Sequence, residues 1–144
     1  MAGLVKQTPN SIGYAELIYA KQNKLAAAKM MNREGAAVAP NDDSFKAAAA
    51  NADWAKAAGM YLILTEQSGK ASWPMTGASF ILMHRVQEKP EHAKEVLKFF
   101  DWAFRNGQQI ADELDYVPMP DPVVKLIQST WKSQLKDPSG KPIY

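Results

Sequence analysis

Residues 5–14 have the sequence VKQTPNSIGY, which predicts the end of a helix, a turn and a strand in direct succession. Proline fixes its own φ angle and disfavours helical backbone at the residue before it, so the helix should end by Thr8 and a turn should cover residues 8–10. A strand over residues 11–14 then begins very close to residue 1. This order is typical of the middle of a fold, and we therefore expect the chain to be part of a larger protein.

The composition is that of an ordinary globular protein. The chain has 144 residues, of which 47% are hydrophobic and 22% are charged, enough for one domain or two small lobes. Its 17 basic and 15 acidic residues give a formal net charge of +2, and the lysines form no block. Charge therefore offers no argument for nucleic acid or an anionic membrane as a partner. The absence of cysteine excludes disulfides, thiolate catalysis and cysteine-ligated metal sites.

Targeting and membrane signals are not visible in the sequence. The first five residues, MAGLV, lack the basic region and the long apolar region of a signal peptide. The longest apolar runs, residues 60–64 and 80–83, have the length of strands and fall far short of the roughly 18–20 residues of a membrane span.

The first half of the chain predicts short elements separated by turns. Asn41 should cap a helix that continues to residue 50, with Asp42 and Asp43 at the positive end of its dipole. The alanines within residues 25–32 argue against a strand there, because alanine favours helix. The other predicted elements are a helix over residues 2–7, strands over 11–14 and 25–32, a helix over 15–23 and a turn over 33–35; residues 51–72 give no clear assignment.

The second half predicts one buried strand and several helices. The apolar run within residues 79–85 does not alternate, which is typical of a strand buried on both faces. Pro90 should begin a long helix that ends near Gly107, where glycine would take the left-handed conformation. Asp121 should cap the last helix, with Pro122 in its first turn. The remaining expectations are a helix over residues 107–114, an extended connector over 117–120, a buried stripe of Val124, Ile127, Trp131 and Leu135, and a tail over 141–144.

No group of residues has the spacing of a catalytic or metal site. His84 and His92 fit no metal-ligand pattern and are interpreted as structural or surface groups. The two SGK sequences, residues 68–70 and 139–141, lack the first glycine and the following Ser/Thr of a phosphate-binding loop, which favours surface turns.

Two further groups leave alternatives open. The carboxylates of Asp112, Glu113 and Asp115 could supply an acid and a base, as in a glycosidase, but at a predicted helix end they are more typical of a solvated edge. Trp54 and Trp73 lie beside predicted loops, where an aromatic side chain can belong to the core, anchor a loop or contact a ligand. A hydrolase finds no support in the residues, and we predict no enzyme, no catalytic residue, no metal and no cofactor.

Four separated blocks resemble the phosphate-binding protein of bacterial phosphate ABC transporters. They are residues 5–14 with YAKQN at 19–23, WP at 73–74 with FILMH at 80–84, EVLKFFDWA at 95–103, and KDPSGKPIY at 136–144. The blocks occur in the order of the family's C-terminal portion. The resemblance implies an α/β fold, specifically part of the type II periplasmic-binding-protein fold, with portions of two α/β lobes whose mixed sheets are flanked by helices. It assigns residues 1–74 to the second lobe and residues 75–144 to the C-terminal part of the first.

The resemblance also implies a function and a missing site. Such proteins are periplasmic, hold inorganic phosphate between their lobes and deliver it to a membrane ABC permease. Their phosphate ligands include an Arg-x-Asp-x-Ser-Gly-Thr loop, whereas this sequence has no Ser-Gly-Thr, and Arg85 and Arg105 do not match the motif. No phosphate ligand is therefore assigned to any position.

Two hypotheses follow for the chain itself. The first is a phosphate-binding component, present as a fragment without its main phosphate-contacting loops. The alternative is a self-associating structural fragment with no ligand of its own, whose apolar faces and open sheet edges pair with the missing N-terminal half or with another copy of the chain.

Overall fold

Helices carry most of the regular structure in the computed structural model, which describes residues 1–114 and 116–144. A small antiparallel hairpin pairs Met30 with Val38 and Met31 with Ala37. The described part is thus helix-rich with a two-stranded sheet, as expected for part of an α/β domain. The elements are α1 (Ala2–Gln7), α2 (Leu17–Gln22), β1 (Met30–Met31), β2 (Ala37–Val38), α3 (Asp42–Asn51), 3₁₀ turns at Trp54–Lys56 and Ala58–Met60, α4 (Pro90–Asn106), α5 (Gln108–Glu113) and α6 (Asp121–Gln134).

The start of α3 confirms the predicted cap. The Asn41 side-chain oxygen accepts a hydrogen bond from the Ser44 N–H at 2.9 Å, and the Ser44 hydroxyl accepts one from the Asn41 N–H at 3.0 Å. This reciprocal pair satisfies two backbone donors that the first helical turn would otherwise leave free. Asp42 and Asp43 lie in the same turn, as predicted.

The helix boundaries after residue 89 are confirmed, but two details are corrected. Gly107 has φ −88° and is not left-handed. A Cβ at this position would lie 2.6 Å from the Ala103 carbonyl oxygen, so glycine is needed because the backbone at residue 107 closely approaches the last turn of α4. Asp121 does not cap α6: it lies inside the first turn, Pro120 precedes it, and no side-chain hydrogen bond closes that end.

The strand predicted over residues 79–85 is wrong. The segment has no strand assignment, and Leu82 is 92% exposed instead of buried. Just beyond it, Val86 forms an isolated parallel bridge with Lys136. A strand exists only where neighbouring backbone supplies hydrogen-bond partners. Among the described residues, only the last residue of this segment has such a partner: the Arg85 carbonyl accepts a hydrogen bond from the Lys136 N–H at 2.9 Å.

The other predicted strands are also largely absent. Residues 11–14 form none, because the Ser11 hydroxyl donates to the Thr8 carbonyl at 2.7 Å and to the Val5 carbonyl at 3.1 Å, which prolongs the turn after α1. Of residues 25–32, only the two residues of β1 have the conformation and pairing of a strand.

The hydrophobic core has two clusters, and α6 contributes to both. Val123 of α6 belongs to the first cluster, Trp131 of α6 packs against the second, and Leu135, the first residue after the helix, is a buried member of the second. Of the stripe predicted for the last helix, Leu135 is buried and the other three residues are half-buried, whereas the buried Val123 lay outside the prediction. The buried members are Ala49, Ala52, Trp54, Leu64 and Val123 in the first cluster, and Ala93, Leu97, Leu135 and Ile143 in the second.

The predicted C-terminal tail is a packed segment. Ile143 is buried in the second cluster, and the Tyr144 ring meets Trp131 edge-on at 5.1 Å. The Tyr144 hydroxyl donates to Asp101 Oδ1 at 3.0 Å, and the Gln128 amide donates to the same oxygen at 2.7 Å. Arg105 completes this carboxylate's partners at 2.9 Å from Oδ2. The chain end is therefore tied to α4 and α6.

None of the helices in the described ranges is both long enough and apolar enough to cross a membrane.

Candidate functional site

The two histidines show no sign of a shared site. Both are exposed, and the backbone carbonyl of His84 accepts a hydrogen bond from the Gln87 amide at 2.6 Å. Among residues 1–114 and 116–144, no group of three or more His, Cys, Asp or Glu side chains could hold a metal ion.

The SGK sequence at residues 139–141 forms a turn that binds the side-chain carboxylate of Asp137. Asp137 Oδ1 accepts hydrogen bonds from the Ser139 N–H at 2.9 Å, the Ser139 hydroxyl at 2.6 Å and the Lys141 N–H at 3.0 Å. The bond from the Ser139 hydroxyl, followed by that from the Lys141 backbone, lowers the pKa of Asp137. The donors that a phosphate would need are thus already used by an anionic side chain.

The SGK sequence at residues 68–70 is a turn whose carbonyls face inward. The Asn32 amide donates to the Gly69 carbonyl at 3.2 Å, the Lys70 carbonyl at 3.0 Å and the Ser72 carbonyl at 3.2 Å. The Ser72 hydroxyl donates to the Ser68 carbonyl at 2.6 Å. Carbonyl oxygens repel an anion, so this turn serves the fold. The prediction of surface turns is confirmed at both SGK sequences.

Trp54 and Trp73 are buried core residues, which decides between the alternatives left open by the sequence. The Trp54 indole N–H donates to the Ala49 carbonyl at 2.7 Å, and its ring lies in the first cluster. Trp73 meets Phe45 edge-on at 6.4 Å. Both side chains therefore hold α3 against the segments that follow it.

A solvent-open groove of about 410 Å³ lies between α3, α5 and the segment leading into α6. Its charged side chains are Asp43, Lys46, Asp112 and Asp121, and Met119 with its flanking prolines forms an apolar wall. Its size is that of a small-molecule pocket. Three carboxylates against one ammonium give it a negative field, which disfavours phosphate. Asp112 and Glu113 are exposed, as expected for a solvated edge, and Asp115 lies outside the described residues.

A second groove, of about 350 Å³, has the opposite charge. Arg85, Val86, Ser133, Gln134 and Lys136 line it where residue 86 bridges to residue 136. The Arg85 guanidinium donates to the Gln134 side-chain oxygen at 2.7 Å. Two exposed cations attract an anion, but they are too few and too open to water for tight binding. Sequence reasoning missed both grooves, because each is assembled from separate segments with no shared motif.

The comparisons with known proteins give the chain its relatives. It is 51% identical over 144 residues to the phosphate-binding protein PstS of Pasteurella multocida, which covers 100% of the chain and 42% of that protein. It is 52% identical over 136 residues to PstS of Haemophilus influenzae, covering 94% of the chain and 41% of that protein. It is 45% identical over 136 residues to PstS of Xylella fastidiosa, covering 94% of the chain and 37% of that protein.

No model of a protein family matches the chain. The chain spans about two fifths of the length of the curated relatives it matches. The resemblance to phosphate-binding proteins is confirmed along the whole chain, as a match to a portion of PstS.

Proposed function

We propose, from the match of the whole chain to a portion of the phosphate-binding protein PstS, that it is part of the phosphate-binding component of an ABC-type phosphate uptake system. The observation that carries this proposal is the 51% identity over all 144 residues. The complete protein would bind inorganic phosphate in the periplasm and pass it to a membrane ABC permease. This is a binding function, and it requires no catalytic group.

The chain by itself should lack high-affinity phosphate binding. The groove beside α3 has the wrong charge for an anion, and the amides of the turn at residues 139–141 already bind Asp137. The groove at Arg85 and Lys136 has the right charge but only two cations. We propose that the main phosphate-contacting loops belong to the part of the relatives that this chain does not match.

The division of the chain between two lobes is also a proposal. Residues 1–74 would belong to the second lobe and residues 75–144 to the C-terminal part of the first, in a type II periplasmic-binding fold. The first core cluster contains side chains from both ranges, Trp54 and Val123 among them. Because the ranges share this core, neither is expected to fold alone, and a crystal structure of the chain assembled with the unmatched portion of Pasteurella multocida PstS tests the division: residues 1–74 and 75–144 should then lie in different lobes.

Calorimetry with inorganic phosphate tests the function in two steps. The chain alone should show no micromolar affinity, and any weak binding should disappear in the Arg85→Gln variant. The chain co-expressed with the unmatched portion of Pasteurella multocida PstS should bind phosphate tightly. Micromolar affinity of the chain alone would refute the proposal that the main phosphate-contacting loops lie outside this chain. A stable assembly that does not bind phosphate would refute the phosphate-binding function.

A further inference from the structure

The junction between α4 and α5 contains an Asn-Gly pair. Asn106 is the last residue of α4, and Gly107 separates it from α5. Asn106 is the only one of the six asparagines in the sequence that is followed by glycine. Because glycine has no Cβ, its backbone nitrogen can reach the preceding side chain with the least steric hindrance. The pair is therefore the position in this chain where the backbone can most easily react with an asparagine amide.

Two hydrogen bonds restrain the groups that would react. The Gly107 N–H donates to the Ala103 carbonyl at 2.8 Å, and the Asn106 side-chain amide donates to the Trp102 carbonyl at 2.9 Å. The nitrogen that would attack and the side chain that it would attack are thus both bound to the last turn of α4. The reaction can begin only after this turn has opened.

The turn can open without unfolding of the whole molecule. None of the described residues of α5, 108–113, is buried, and a hydrogen bond of 2.9 Å from the Ala111 N–H to the Gly107 carbonyl begins the helix. Asn106 is exposed, so water reaches the junction. Segments with few buried contacts open at a much smaller free energy than the core does. All of these groups lie within residues 102–113, so the opening requires no second polypeptide.

We propose that Asn106 is a site of spontaneous deamidation, controlled by local opening of the α4–α5 junction. The Gly107 backbone nitrogen bonds to the side-chain carbonyl carbon of Asn106, and the amide NH₂ leaves with the backbone proton as ammonia, which gives a cyclic imide. Water then cleaves either of the ring's two carbonyl C–N bonds. The products are aspartate and isoaspartate, in which the backbone runs through the former side chain. Water is the only co-reactant and ammonia the only by-product.

The modification weakens the junction that restrained it. Either product places a carboxylate at the C-terminal end of α4, where the helix dipole disfavours negative charge, and removes the donor to the Trp102 carbonyl. Isoaspartate also lengthens the backbone beside Gly107, where a Cβ would already lie 2.6 Å from the Ala103 carbonyl oxygen. Deamidation should therefore loosen α5, which lines the groove beside α3 through Gln108 and Asp112.

Mass spectrometry of the full chain, incubated in mildly alkaline buffer, tests the proposal. Deamidation is slow compared with opening and closing, so its rate follows the population of the open junction. Asn106 should convert at least about tenfold faster than any other asparagine. It should convert roughly tenfold to a hundredfold more slowly than in the same chain unfolded in urea, because opening breaks a few solvent-exposed hydrogen bonds. In the matched control Asn106→Gln, the longer side chain disfavours the ring, and this position should stay unmodified over the same time.

Urea below the unfolding transition separates local opening from global unfolding. Opening of the junction exposes little surface, so the rate at Asn106 should change by less than about twofold per molar of urea. Reaction through global unfolding would instead rise by roughly thirtyfold per molar. Such a steep rise, equal rates in the folded and unfolded chain, or conversion of Asn106 no faster than that of the other asparagines would each overturn the proposal.

Hydrogen exchange measures the effect of the product on α5. The Asn106→Asp variant reproduces one of the two products. Its amides at residues 108–113 should exchange severalfold faster than those of Asn106→Gln, which keeps the position uncharged. Equal exchange in the two variants would overturn the expected loosening of α5.

Discussion

Replacing Asn32 by alanine should destabilise the fold more than its polar character suggests. Asn32 is 5% exposed, and its amide donates to three carbonyls in residues 69–72. Its side-chain oxygen accepts from the Glu34 N–H at 3.1 Å and from the Ala36 N–H at 3.1 Å. One side chain thereby closes the β1–β2 hairpin and joins it to a turn almost forty positions away.

The magnitude follows from these contacts. An amide has two N–H groups, so the three donated contacts amount to two hydrogen bonds, one of them shared, beside two accepted bonds. Each contributes about 0.5–1.5 kcal/mol net. Several partner groups are only partly buried and recover water in the variant, so the expected loss is about 3 kcal/mol. With a urea m-value of ~2 kcal/mol/M, the midpoint should fall by roughly 1–2 M.

Urea unfolding followed by tryptophan fluorescence measures this loss, because buried Trp73 directly follows Ser72, one of the residues whose carbonyl Asn32 binds. Asn106→Ala is the control, since Asn106 is exposed and donates one bond, to the Trp102 carbonyl; it should change stability by less than about 0.5 kcal/mol. Asn32→Asp keeps the shape but turns an oxygen toward three carbonyls, so it should cost at least as much as alanine. A loss below about 1 kcal/mol for Asn32→Ala, or a stable Asn32→Asp, would refute the reasoning.

Two further predictions concern α4. Leu97 is fully buried in the second cluster, so Leu97→Ala should cost about 2–5 kcal/mol in urea unfolding, whereas Val96→Ala on the exposed side should cost under about 1 kcal/mol; similar losses would contradict the assigned core. Burial raises the pKa of Asp101, but hydrogen bonds from Tyr144 and Gln128 and the charge of Arg105 outweigh it, so the pKa is lowered overall. The stability this provides is present above the ordinary aspartate value of about 4 and is lost as the pH falls through the lower value in the folded protein. Tyr144→Phe should therefore cost about 1 kcal/mol near neutral pH and less in acid, as measured by thermal unfolding; a pH-independent cost would argue against the hydrogen bond to the charged carboxylate.

Local signals account for the correct predictions. The Asn41 cap and the start of α4 at Pro90 depend on residues within one helical turn, so the neighbouring sequence is enough to predict them. The predictions for Gly107 and Asp121 were wrong in detail, because each of these residue types can occupy more than one position at a helix end. At Gly107, the close contact with the Ala103 carbonyl oxygen is what requires glycine.

The two grooves and the hydrogen bonds of Asn32 could not be predicted from the sequence. Asn32 lies next to a turn signal, and nothing in its neighbours shows that its partners are residues 69, 70 and 72. The basic groove likewise depends on Arg85 and Lys136 meeting across the bridge after α6. Each of these features depends on two segments far apart in sequence.

The sequence by itself determined the relationship to phosphate-binding proteins, the helices from residue 90 onward and the cap of α3, because identity, proline positions and capping residues are properties of the chain alone. Only the tertiary structure decided that Val123 is buried more deeply than Val124, that Trp54 and Trp73 belong to the core, and that residues 79–85 remain without a sheet. A helix satisfies its backbone within itself, whereas a strand is completed by another segment, and the apolar run at residues 80–83 has no such segment among the described residues.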